Sequence, residues 1–193
     1  GGIFVVADGL GGHNRGEEAS AIAVETIISN WNFNAEDVEA QINEKFETAN
    51  QKILDLQKEY NCVMKTTAAV LAIGENKVVM ANSGDSRVYY FHKNELHSYT
   101  HDHSVAYKKY KAGEIMRERI AEDEDQSRLL RNLGGEDRYL PEITKYDVSV
   151  DLKLVQNASV LSALIAGKGP DVALNIEAGT PIQLAIRGAL VDL

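Results

Sequence analysis

Two apolar segments that each run into a glycine-flanked aspartate constrain this chain more than any other feature. Ile3–Val6 has the β-branched and aromatic character of a buried strand, and it delivers Asp8 and Gly9 to a tight turn that continues through Gly11 and Gly12 and opens a helix. A second apolar strand ends the same way, at Ala81-Asn82-Ser83-Gly84-Asp85-Ser86. A carboxylate at a strand end and the Gly9 carbonyl beside it can face one spot, and hard cations favour such oxygen ligands. A lone Asp-Gly is more often an ordinary turn. Two strands ending in aspartate point instead to a shared acidic centre. A dinucleotide fingerprint fails on spacing, because the glycines at 9 and 11 are followed by Asn14.

Between these strands the apolar period is helical. Ala19, Ile22, Ala23, Ile27 and Ile28 form one stripe, predicting a helix over Glu17–Asn30. Asn34, with Asp37 three residues on, resembles a helix start, and Val38, Ile42, Phe46, Ala49, Ile53 and Leu56 predict a long helix over Ala35–Tyr60. From Thr66 the pattern changes to short strands joined by tight turns: Thr66–Ile73, Lys77–Asn82, Arg87–His92 and Leu96–Tyr99. Both helices need one common apolar surface, so the first strand, Ile3–Ala7, and the next three, Thr66–Ile73, Lys77–Asn82 and Arg87–His92, are expected in one antiparallel sheet beneath them, an α+β class. Further helices are predicted over Ser104–Ala112 and Gln126–Leu133. The histidines at 97, 101 and 103 could be zinc ligands, but Asp102 or Ser104 serves equally as a helix N-cap and no cysteine is near.

Charge and cysteine content narrow the function classes. The formal net charge of -9 argues against nucleic acid and against an anionic membrane surface. The single cysteine, Cys62, permits no internal disulfide and suits a reducing compartment, and no apolar run reaches the length of a membrane span. There is no signal-peptide pattern at the start, and Gly1 lies at the approach to a strand, which reads as a fragment.

The stretches VADGLGGHNRGEEAS (Val6–Ser20), TTAAVLAI (Thr66–Ile73), ANSGDSRVYYF (Ala81–Phe91), THDHSV (Thr100–Val105) and LLRNLGG (Leu129–Gly135) occur in one order. In that order they resemble bacterial metal-dependent protein serine/threonine phosphatases of the PPM type, the PP2C family. The resemblance implies an incomplete α-β-β-α sandwich over residues 1–152, a cytoplasmic location, and phosphoserine and phosphothreonine proteins as substrates. It implies two Mg²⁺ or Mn²⁺ ions roughly 3.5–4 Å apart that activate water, with a third, weaker metal site. Carried over by position, Asp8 is the catalytic bridging carboxylate, the Gly9 carbonyl a metal ligand and Asp85 a ligand of the third ion. Leu10 stands where eukaryotic relatives carry a histidine acid, and Lys65 replaces a glycine of the family's Gly-Thr-Thr. The Asp-His-Ser at 102–104 is structural in the family, and the region where the helix ends at Gly113 and the acidic run Glu122–Asp125 leads to Gln126–Leu133 corresponds to a mobile flap beside the active site. The family's phosphate-gripping arginine precedes Asp8, and its Ser-Asp-Gly and Gly-x-x-Asp-Asn motifs, which supply further carboxylates, do not occur after position 150.

Residues 153–193 have another character. They hold three of the 20 basic and three of the 29 acidic residues and no aromatic residue, so all of the net charge lies upstream. AGKGPDVAL (Ala166–Leu174) and TPIQLAIRGALVDL (Thr180–Leu193) resemble part of a lobe of an extracellular solute-binding protein of ABC transporters, a short β-α-β-α piece with Thr180-Pro181 opening a helix. The two resemblances imply different compartments, and the expectation is a chimeric or misassembled join within Val148–Val155. Two alternatives to a phosphatase of low or no activity follow: a solute-binding component, from the last segment only, and a non-catalytic pseudophosphatase acting as an interaction module.

Overall fold

The computed structural model describes residues 2–10, 15–32, 35–74, 77–92 and 95–147. Expectations for Gly11, Gly12, Asn34, the join at 148–155 and the segment 153–193 lie outside them. The described residues fall into two units, one of residues 2–88 with 100–147 and one holding residues 89–99.

The first unit opens with β1 (Gly2–Val6), α1 (Gly16–Ile28), α2 (Val38–Tyr60), β2 (Ala68–Ile73) and β3 (Lys77–Ser83). After residues 89–99 it resumes with α3 (Val105–Lys111), a 3-10 helix (Arg117–Glu122) and a last strand, Glu142–Asp147. The hairpin of the second unit comprises β4 (Tyr89–His92) and β5 (Glu95–Tyr99), so the last strand is β6. The sheet of the first unit has the order β1-β2-β3-β6, every neighbour antiparallel. Register follows rows such as Val5, Val70, Ala81 and Ile143, and Ile3, Ala72, Val79 and Lys145.

Those rows face both long helices. Ala19, Ala23 and Ile27 of α1 and Ile42, Phe46, Ala49 and Ile53 of α2 join Val70, Ala72, Val79 and Ala81 in one buried cluster. Each large side chain so buried contributes roughly 1.5–3 kcal/mol relative to exposure. On the same face Lys145 Nζ reaches Glu39 Oε1 of α2 at 2.7 Å. The common apolar surface predicted for the two helices is therefore found, and the chain is α+β with an antiparallel sheet. Among the described residues this is one helical layer on one sheet.

Three expectations need correction. Arg87–His92 does not lie in the helix-covered sheet: β4 pairs with β5 alone, and β6 takes the fourth place, beside β3. The chain leaves β3 through Gly84, whose φ of +112° is a turn of direction that L side chains rarely adopt, and β3 and β4 are not paired with each other. The long helix begins at Val38, not Ala35, because the Asp37 carboxylate accepts from Ala40 N at 3.0 Å and caps it there. Gln126–Leu133 is not helical. Its backbone groups are taken by distant partners: Val105 N donates to Arg128 O at 2.9 Å, Leu130 N to His103 O at 2.6 Å, and Leu133 N to Thr66 O at 2.8 Å.

Candidate metal centre

Asp8 follows directly from β1, and the last rungs of the β1–β2 ladder hold it. Thr67 N donates to Asp8 O at 2.9 Å, and Leu10 N donates to Lys65 O at 3.0 Å. Gly9 and Thr66 are thus the opposed pair between those bonds. In an antiparallel ladder such a pair directs its own N–H and C=O groups away from the partner strand. The Gly9 carbonyl therefore faces away from β2, as a metal ligand requires, and Lys65 contributes only a carbonyl that any residue offers. Glycine at position 9 is forced by packing, since a Cβ there would sit 2.2 Å from Gly16 O at the start of α1.

Asp8 N departs from the ladder pattern and donates to the Thr67 hydroxyl at 3.1 Å. That hydroxyl lies 2.6 Å from Ser86 Oγ, the residue after Asp85. The two aspartate-bearing turns, distant in sequence, are thereby joined through one buried threonine.

The Asp85 turn is gripped from its other side by His103. Gly84 N donates to His103 Nδ1 at 3.2 Å and His103 N donates to Gly84 O at 2.9 Å. Nδ1 therefore carries no proton, and Nε2 presents its hydrogen toward Glu142 Oε2 at 3.4 Å. His101 Nδ1 lies 3.2 Å from the other oxygen of the same carboxylate. Burial, with the positive charge of Arg131, holds the His103 imidazole below its ordinary pKa, against the opposing pull of Glu142 and Asp102. Asp102 itself is buried and pairs with Arg87, whose Nη2 donates to Oδ2 at 2.6 Å and whose Nε donates to Oδ1. Of the two proposed caps for α3, Ser104 is the one used: its hydroxyl accepts from Tyr107 N at 3.2 Å.

Burial pushes the Asp85 carboxyl above its ordinary pKa, and the charges of Asp102 and Asp8 push it the same way, against its own backbone hydrogen bond and Arg87. A nearby cation would relieve that excess of negative charge. The donors at this spot, two carboxylates and one carbonyl, are the oxygens that Mg²⁺ and Mn²⁺ take. In kind they fit a hard divalent ion. In number they supply part of a ligand set, for among the described residues no group of three or more His, Cys, Asp or Glu side chains could hold a metal.

The structure thus places Asp8, Gly9 and Asp85 at one end of the sheet, where β1 and β3 end. Sequence reasoning placed Thr67 and Ser86 within motifs without giving either a role, and it did not single out Glu142. Thr67 reads as a strand residue and Glu142 as one more acidic side chain. What marks them is long-range partnership, which leaves no periodic signal in a single sequence.

A model of the family described as protein phosphatase 2C matches residues 1–132. The serine/threonine phosphatase stp of Listeria welshimeri is 34% identical over 142 residues, covering 69% of this chain and 56% of that protein. Protein phosphatase PhpP of Streptococcus pneumoniae is 32% identical over 170 residues, covering 86% of this chain and 69% of that protein. The chain therefore spans little more than half the length of the Listeria relative. The crystal structure of the Mycobacterium tuberculosis serine/threonine phosphatase PstP superposes with a TM-score of 0.71 at 25% identity, covering 97% of this chain and 83% of that one. The PstP catalytic domain in complex with two manganese ions superposes with a TM-score of 0.69 at 24% identity, covering 97% of this chain and 82% of that one.

Proposed function

Because the chain belongs to the protein phosphatase 2C family, we propose that it carries part of the catalytic centre of a metal-dependent protein serine/threonine phosphatase acting on cytoplasmic phosphoserine and phosphothreonine proteins. The observation that supports this best is the pair of aspartate turns joined through Thr67 at one end of one sheet. Asp8 and the Gly9 carbonyl would hold Mg²⁺ or Mn²⁺, and Asp85 a third, more weakly held ion. The chemistry supplied by a bound divalent pair is activation of water and neutralisation of phosphoryl charge. This chain's own residues orient the ligands. The ladder fixes the Asp8 backbone, Gly9 turns its carbonyl outward, and His103 with Ser86 holds the Asp85 turn from both sides. With Leu10 at the position of the eukaryotic acid, none of these residues donates a proton to the leaving alkoxide.

Residues 1–147 grafted in place of the matching segment of the S. pneumoniae relative test this reading. The graft should hydrolyse a phosphothreonine peptide with Mn²⁺, and Asp8→Ala within it should lower kcat by about 10²-fold or more. A folded graft without turnover would favour the pseudophosphatase reading. Residues 153–193 are proposed as a separate piece on their neutral, aromatic-free composition. A chain ending at Leu152 should then bind Mn²⁺ as the full chain does, and a weakened site would join the segment to the phosphatase.

A further inference from the structure

We propose that Thr67 is the positioning residue that sets the Asp8 turn against the Asp85 turn, through its hydroxyl. The inference rests on the metal-binding reading of Asp8 and Asp85 and adds to it the part that holds the two in register.

Thr67 is wholly buried and touches both turns. Its backbone N–H donates to Asp8 O at 2.9 Å, while its Oγ1 accepts from Asp8 N at 3.1 Å. Thr67 thus contacts the Asp8 peptide groups on both sides of the Cα, and the Thr66 hydroxyl donates a second bond to Asp8 O at 2.9 Å. The same Oγ1 lies 2.6 Å from Ser86 Oγ, so the hydroxyl that orders Asp8 also anchors the residue next to Asp85. A hydroxyl has two acceptor lone pairs and one proton, which suits both contacts at once.

The methyl makes a separate contact. Gly84 leaves its Cβ position empty, and that position is 2.5 Å from Thr67 Cγ2 and 2.7 Å from Thr67 Cβ. The Asp85 turn therefore rests directly on the threonine side chain, a contact no other residue type at 84 permits. Serine at 67 would keep the hydroxyl and lose the methyl. Valine would keep the shape and leave Asp8 N without its acceptor. Cysteine and alanine keep neither.

Mn²⁺ is the probe, and paramagnetic broadening of the Asp8 and Asp85 amide signals of the full chain is the readout, which needs no turnover. In wild type both signals should broaden as Mn²⁺ is added. Thr67→Val should raise the midpoint about tenfold, the lower end of what loss of a ligand-orienting partner costs in metal affinity, and Thr67→Ser should stay within about threefold of wild type. Thermal unfolding of each variant separates this from a loss of fold, because a merely structural threonine would change melting without separating serine from valine in Mn²⁺ affinity. A Thr67→Val midpoint equal to wild type, or a Thr67→Ser midpoint as high as that of Thr67→Val, overturns the proposal. Should Thr67→Val fail to fold, Ser86→Ala decides: it removes one contact and keeps the buried threonine, and an unchanged Asp85 midpoint overturns the proposal. Absence of broadening in wild type, or broadening that survives Asp85→Asn and Asp8→Asn unchanged, overturns the metal reading and this inference with it.

Discussion

At the scale of single residues, the centre depends on atoms that are absent as much as on those present. Gly9→Ala would place a methyl 2.2 Å from Gly16 O and 2.3 Å from Gly16 C. Neither backbone atom can swing aside, so α1 must shift, and the substitution should cost about 1–3 kcal/mol in urea unfolding. An unchanged midpoint would mean that the turn has room the structure does not show. His103 gives a pH dependence with a definite sign. Its folded pKa is lowered, first by burial and then by Arg131, so the unfolded chain takes up the proton first. The stability it contributes is full above about pH 6.5, the ordinary histidine value. It is lost as pH falls through the lowered folded value. The urea midpoint should therefore drop between pH 7.5 and 5.5, and drop less in His103→Asn; parallel profiles would remove His103 from the account. At this scale the turns at Asp8-Gly9 and Gly84-Asp85 were legible because glycine beside aspartate marks a turn. The bonds made by Thr67 and Glu142 were not, because the partner that a hydroxyl or a glutamate finds across the sheet leaves no local signature.

Elements were legible where burial imposes a period. The stripes of α1 and α2, and the apolar runs of β1, β2 and β3, place both helices on one face of the sheet as their spacing implies. β6 leaves a weak pattern for the converse reason: Glu142–Asp147 is half-buried and rich in charge, and it takes its place by pairing with β3 across a long excursion. The false helix at Gln126–Leu133 arose because helical spacing there coincides with a strap. Asn50 of α2 takes Gly134 N on Oδ1 at 2.7 Å and gives Nδ2 to Gly135 O at 3.0 Å, while Gln57 Nε2 reaches Gly134 O at 2.9 Å. The strap's neighbour, residues 113–128, has its own clasp. Lys109 Nζ on α3 reaches Asp123 Oδ1 and Asp125 Oδ2, both at 2.9 Å. Lys109, bonded first to Asp123 and then to Asp125, has its pKa raised, and it lowers both aspartates in return. Depressed carboxyls stabilise above their ordinary value and lose that contribution as pH falls through the folded one, so the clasp should hold at neutrality and open below about pH 4. Lys109→Met should lower amide protection factors over 117–128 at pH 7, and acidification of wild type below about pH 4 should lower them too once the slower intrinsic exchange is divided out. Protection unaffected by either change would show that the 3-10 helix is held by other contacts.

For the whole molecule the decisive quantity is how many oxygen ligands converge on one place. The net charge of -9 would repel a phosphorylated substrate at long range, and cations held at the proposed centre would reverse that locally. In the proposed assignment Asp8 with the Gly9 carbonyl would offer one carboxylate to the ion pair, and Asp85 would serve the outer, weaker site. A single carboxylate leaves Mg²⁺ or Mn²⁺ largely hydrated, so the described residues suit weak occupancy and do not by themselves supply a working pair. Both ions are required together, since water must be activated while the phosphoryl oxygens are neutralised. The chain by itself should therefore hydrolyse p-nitrophenyl phosphate with Mn²⁺ no faster than its Asp8→Ala variant, even where Mn²⁺ broadens the Asp8 and Asp85 signals. Mn²⁺-dependent turnover that vanishes in Asp8→Ala would mean that residues 1–193 complete the centre themselves, with carboxylates that neither the motifs nor the described structure brings to Asp8.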